Sequence, residues 1–229
     1  MNPVILIFVA TLGLSLLAAW RVKSVYRRYL NVPARRKLNG AEAARRILSS
    51  EGIRDVQVEA EPGELTDHYD PLNKRLVLSE ENYYGMSVSA ISVAAHEAGH
   101  AVQHARGFAP LQWRMMAVGA TNIASQIVLW LPILGIVTGM LSSIIGLSII
   151  AAGWGVIMLF NLVTLPVEYD ASRRAKAILT NSGMVTQEER TGVNTVLNAA
   201  ALTYVAAFLT SLTYMLYYLW PLLTGKSQS

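Results

Sequence analysis

The chain has 229 residues, of which 53% are hydrophobic and only 15% charged, a balance that argues against a water-soluble fold and for a membrane protein. It contains no cysteine, which excludes disulfide frameworks, thiolate metal sites and cysteine nucleophiles and leaves His, Asp and Glu to hold any metal. The formal charge of +4 and pI near 9.4 would suit nucleic acid, but the cations gather beside a hydrophobic segment, where topology and anionic lipid explain them and no nucleic-acid partner is expected.

In chain order, residues 1–20 read as a first transmembrane helix: no charge occurs from Pro3 to Trp20, close to the roughly 20 residues a crossing needs. A signal peptide would carry its positive charges ahead of the apolar run, whereas Arg21, Lys23, Arg27, Arg28, Arg35, Arg36 and Lys37 all follow it. The positive-inside rule places that flank in the cytoplasm and both chain ends outside. Residues 21–114 then read as a small polar domain. Asn39 and Glu42 form a capping box for a helix through about Leu48, stopped by Gly52. Val56, Val58 and Ala60 alternate as in a half-buried strand ending at Pro62-Gly63. Leu65–Tyr69 and Arg75–Leu78 suggest two more strands joined by Asp70-Pro71-Leu72-Asn73, giving a short antiparallel sheet. A longer helix is predicted over about 87–105, stopping near Gly107 and Pro110.

After Arg114 no charged side chain appears until Glu168, so 115–167 reads as a two-span hairpin. Its turn is expected between Pro132 and Gly139, although Gly135-x-x-x-Gly139 also suits a close helix contact. Residues 168–190 form a polar segment with a second capping box at Thr186 and Glu189, and 193–223 supplies a fourth transmembrane helix. The expected fold class is therefore α+β: four membrane helices and a small domain with an antiparallel sheet.

The chemistry-bearing pattern is His96-Glu97-Ala98-Gly99-His100, an H-E-x-x-H sequence on the 87–105 helix. Residues four apart share a helical face, so both imidazoles can reach one Zn2+ ion, while Glu97, about 100° round the axis, can act as general base toward water on the metal. A third ligand is needed, and Glu168 leads, because a carboxylate beside hydrocarbon is costly unless coordinated or paired. The plainer alternative pairs it with Arg173 or Arg174. Asp170 is an alternative ligand, or an acceptor that fixes a histidine tautomer. Two predicted crossings separate the motif from Glu168, which returns the acid to the same side.

His104, one turn beyond His100, drifts off the ligand face and is expected to make another polar contact. His68 fits either an oxyanion donor or a turn-stabilising hydrogen bond. Tyr204 and Asn198 are candidates for supporting the site, against packing roles within the membrane. The strand before the active-site helix is expected to offer an edge to an extended peptide.

These residues resemble the neutral zinc metallopeptidases of bacterial membranes, the YugP-like family. The resemblance runs nearly end to end, through Asp67-His68-Tyr69-Asp70-Pro71, Leu78-Ser79, HEAGHAVQ at 96–103, Leu165-Pro166-Val167-Glu168 and the Ala199–Ala206 run. The family is distantly similar to membrane gluzincins such as the HtpX and CAAX-prenyl protease group, which implies zinc held by His96, His100 and Glu168. That group usually has Glu-x-x-x-Asp downstream, whereas this chain has Ser172 in the Asp place and Asp170 two residues after the Glu. The expectation is a zincin-like, membrane-anchored endopeptidase acting on membrane-associated or unfolded polypeptides at the cytoplasmic surface. A protease cutting within a lipid-embedded helix and a non-catalytic metal-stabilised scaffold are the rivals. The lipid bilayer and a polypeptide substrate are the expected partners, with a membrane-protein partner or a homo-oligomer left open.

Overall fold

The protein is described here by a computed structural model covering residues 3–139 and 143–224, without the side chains of 136–138. Its first helix, α1 (Pro3–Leu30), continues past the apolar run and ends among Arg27 and Arg28, cations that suit the negative end of a helix dipole. α2 (Gly40–Ser50) opens on Asn39, whose side chain accepts from the Glu42 N–H while the Glu42 carboxylate accepts from the Asn39 N–H. Both expected bonds of the capping box are present, and Gly52, at φ 75°, turns the chain where a side chain would be strained.

Three strands follow: β1 (Gln57–Glu61), β2 (His68–Asp70) and β3 (Arg75–Ser79). The sheet order is β1-β3-β2, with β1 parallel and β2 antiparallel to β3, so the expected antiparallel sheet is corrected to a mixed one. After β1 the chain passes over the position of β3, lays β2 on the far edge and returns by a hairpin into the middle. Leu76, Val77 and Leu78 are all buried, as a strand covered on both faces and both edges requires. The strand expected to offer an edge to a peptide, β3, is thus the central one and has no edge to offer. Leu65, expected inside the second strand, has φ 60° and lies outside β2.

β3 runs straight into α3 (Glu80–Tyr84), a single short helix that no sequence pattern foretold. α4 (Val88–Ala105) begins at the Ser87 cap, whose side chain accepts from the Ala90 N–H. It is buried almost all round because Ala90, Ala94, Ala95, Ala98 and Ala101 let neighbours close in on it. α2 packs along it through Ala43, Ala44, Ile47 and Leu48. Ile47, Leu76, Leu78 and Ile91 are fully buried, each contributing about 1.5–3 kcal/mol by leaving water.

α5 (Ala109–Thr138), α6 (Ile144–Asn181) and α7 (Glu189–Thr224) complete the chain. With α1, they are the four helices long and apolar enough to cross a membrane among the described residues. Pro132 lies inside α5 rather than in a turn, and the helix runs to Thr138 before Gly139 at φ 70°. α6 likewise passes through Pro166 without ending, so residues 168–181 are its last turns. The reciprocal bonds between Thr186 and Glu189 at the start of α7 are both made.

The contacts divide the chain into two compact units. One comprises Met1–Leu17, Trp113–Leu165 and Tyr204–Ser229; inside it Trp154 stacks on Tyr214 at 4.6 Å and Asn161 donates to Ser211 Oγ and the Ala207 carbonyl. The other comprises Ala18–Gln112 and Pro166–Thr203 and carries the sheet, α2, α3 and α4. Every residue of the site described next belongs to this second unit.

Candidate metal centre

α4 presents His96 and His100 one turn apart, with ring centroids 4.8 Å from each other and planes at 81°. The polar end of α6 lies against the same turn of α4, and Gly99 is the reason it can. A Cβ built on Gly99 would stand 2.7 Å from the Ala171 carbonyl oxygen, closer than any side chain tolerates. One turn before Ala171, Glu168 points its carboxylate between the histidines. Its Oε2 lies 3.1 Å from His96 Nε2 and 3.5 Å from His100 Nε2. Glu168 is only 2% exposed.

His96, His100 and Glu168 form the one group of three metal-type ligands among the described residues, with donor atoms all within 4.8 Å of one another. Zinc bonded at about 2.0–2.1 Å in a tetrahedron keeps its ligands roughly 3.3–3.4 Å apart. The two carboxylate–imidazole separations bracket that value, and two imidazoles with one carboxylate are a known donor set for catalytic zinc. The group therefore fits the metal in both chemistry and spacing.

Glu97 follows His96 and is also buried, yet among the described residues no hydrogen-bond donor holds its carboxylate. Burial pushes that carboxyl above the ordinary glutamate range; the His96 and His100 charges oppose the shift, while Glu168 and Asp67 reinforce it. For His100, burial disfavours a proton, but the hydrogen bond to Glu168 and the charges of Glu168 and Glu97 more than offset it, so the ring is held above its usual value. Its surroundings favour a cation beside the carboxylate, whether proton or metal.

The far nitrogens of the two rings are also engaged. His96 Nδ1 is 3.1 Å from Ser172 Oγ, and His100 Nδ1 is 3.0 Å from Gln103 Oε1. Gln103 Nε2 in turn donates to the Val167 carbonyl and to Asp170 Oδ2. Asp170 also accepts from Arg173 and Arg174. Asp170 is thus the carboxylate bound to the arginines, and it reaches a histidine only through Gln103. Ser172 occupies the position four residues after Glu168 and meets the ring directly. The helical period alone places it there; Gln103, three residues after His100, carried a comparable but fainter signal.

The other expected residues fall elsewhere. His104 Nδ1 pairs with the Tyr69 hydroxyl at 2.8 Å and is not in the three-ligand group. His68 is exposed, and its Nδ1 donates to the Thr66 carbonyl at 2.8 Å. It alternates along β2 with Tyr69, which faces α4, so the local turn bond is the contact it makes. Asn198 accepts from Lys176, and Tyr204 belongs to the other compact unit. Asp67, not singled out beforehand, is half-buried and accepts from the Ser79 N–H at 2.8 Å and from Asn82 Nδ2 at 2.9 Å. Asn82 Oδ1 accepts from the Tyr26 hydroxyl, which ties α1 to α3 beside the site.

The chain belongs to the family described as "putative neutral zinc metallopeptidase", whose model matches residues 4–222. It is 46% identical over 225 residues to a Bacillus subtilis (strain 168) protein named "Putative membrane protease YugP", covering 98% of this chain and 99% of that one. No solved structure matches the chain significantly.

Proposed function

We propose that this chain is a membrane-anchored zinc metallopeptidase that hydrolyses peptide bonds of membrane-associated or unfolded polypeptides at the cytoplasmic surface. The observation that carries the reading is the convergence of His96 Nε2, His100 Nε2 and Glu168 Oε2 at ligand-to-ligand distances of 3.1 and 3.5 Å. Those three residues would hold the ion, and Glu97 is the general base. Zinc, when bound there, supplies a Lewis acid that polarises the scissile carbonyl and lowers the pKa of water.

The chain's own residues do the rest. Glu97 takes a proton from the attacking water and returns it to the departing amine, and burial that raises its carboxyl suits a group that must both accept and release a proton near neutrality. Ala98 and Gly99 keep the helix face bare. Glu168 neutralises the cation from α6, and that meeting is one the two intervening crossings permit. α4 is not among the four membrane-length helices, which favours cleavage at the membrane surface over cleavage within a lipid-embedded helix.

Zinc content and casein hydrolysis of purified wild type, Glu97→Gln and Glu168→Ala test the proposal. The expected pattern is zinc kept with activity reduced by about 10²–10⁴-fold for Glu97→Gln, and zinc lost for Glu168→Ala. Equal hydrolysis by all three proteins sinks it.

A further inference from the structure

Gln103 is wholly buried, and every polar atom of its amide is engaged. One end of the amide lies 2.8 Å from the Val167 carbonyl and 2.9 Å from Asp170 Oδ2. A backbone carbonyl only accepts, and so does a carboxylate held by two arginines. The NH2 group must therefore face α6, and the amide cannot be reversed without setting oxygen against oxygen. Its Oε1 then faces His100 Nδ1 at 3.0 Å. An amide oxygen also only accepts, so the ring hydrogen must sit on Nδ1. That leaves Nε2, the nitrogen that faces Glu168 Oε2 at 3.5 Å, as the position for a second proton or a metal ion.

Nothing comparable constrains His96. Its Nδ1 meets Ser172 Oγ, and a hydroxyl rotates to donate or accept as required. The two histidines therefore differ: one ring is fixed from behind, the other is adjustable.

We infer that Gln103, anchored on Val167 and Asp170, is a positioning residue that locks His100 into the tautomer whose Nε2 is open to a metal ion. Its use for zinc rests on the metallopeptidase reading. Without Gln103 the ring gains by moving its hydrogen to Nε2 and donating to Glu168 Oε2, 3.5 Å away, and the metal must then displace that hydrogen. Loss of such a partner typically weakens metal binding about 10–100-fold.

The test is ¹⁵N NMR of histidine-labelled, chelator-treated full chain in lipid, alongside zinc affinity measured by chelator competition. Wild type is expected to show His100 hydrogen on Nδ1. Gln103→Met should move it to Nε2 and weaken zinc binding by 10–100-fold. Ser172→Ala should leave His100 unchanged. A wild-type His100 that lacks hydrogen on Nδ1 overturns the lock, as does an unaltered His100 in Gln103→Met. Should Gln103→Met fail to fold, the wild-type ring still decides. Wild type that takes up no zinc defeats the metallopeptidase reading instead, a result separate from the tautomer.

Discussion

At the scale of single residues, the hairpin beside the site shows how a short polar side chain can be tuned by its backbone. Asp70 accepts from the Asn73 side chain, the Asn73 N–H and the Leu72 N–H. These bonds, the Asn73 side chain foremost, hold its carboxyl down to about 2. An unfolded aspartate titrates near 3.9, as a rough reference, so the folded state binds its proton less readily than the unfolded one. The stabilisation is complete above about pH 4 and disappears as pH falls through about 2. Asp70→Asn should therefore lower the unfolding midpoint at pH 6 and match wild type near pH 2. Thermal unfolding across that range checks it, and a difference that ignores pH counts against the assignment. The sequence already marked Asp70-Pro71-Leu72-Asn73 as a turn, since those residue types bond their own backbone. It assigned no role to Gln103 or Asp67, because their partners come from distant segments, and only the helical spacing of Gln103 from His100 hinted at one.

Elements meet where side chains are smallest. The crossing of α4 and α6 is set by Gly99 against the Ala171 carbonyl. Gly99→Ala inserts one methyl group where 2.7 Å is available, and overpacking of this kind costs about 1–3 kcal/mol. The expected result is a lower unfolding midpoint together with weaker zinc binding, since any retreat of α6 withdraws Glu168 from the histidines. Stability loss with zinc affinity intact would mean that the crossing does not set the ligand distance. Helices were the legible part of this fold: caps at Asn39 and Thr186 and stops at Gly52 and Gly107 are local chemistry. The sheet was less so. Strand direction depends on where the chain returns, and the short run over Leu76–Leu78 spoke only for burial, which is why the central place of β3 and its parallel partner were missed.

For the whole molecule, a bound ion stabilises the folded state by mass action. Zinc at a hundred times its Kd should add about 2.7 kcal/mol to unfolding, while Glu168→Ala should show no such gain. Thermal melts with zinc and with chelator measure this; an equal zinc response in both proteins would place the ion elsewhere. Chelation should also abolish hydrolysis, and added zinc should restore it. The four membrane-length helices were readable from uncharged runs, because hydrocarbon imposes one simple demand on composition. Their inner limits were not, since Pro132 and Pro166 both sit within helices where a turn or a boundary had been expected.

The division of His96, His100 and Glu168 between α4 and α6 also bears on biosynthesis. A nascent chain that has emerged from the ribosome only as far as α4 carries His96, Glu97 and His100, but not Glu168. Glu168 arrives only after the apolar stretches of α5 and α6 have been made. On the proposed reading, the zinc site is therefore incomplete until translation has passed the second of those segments.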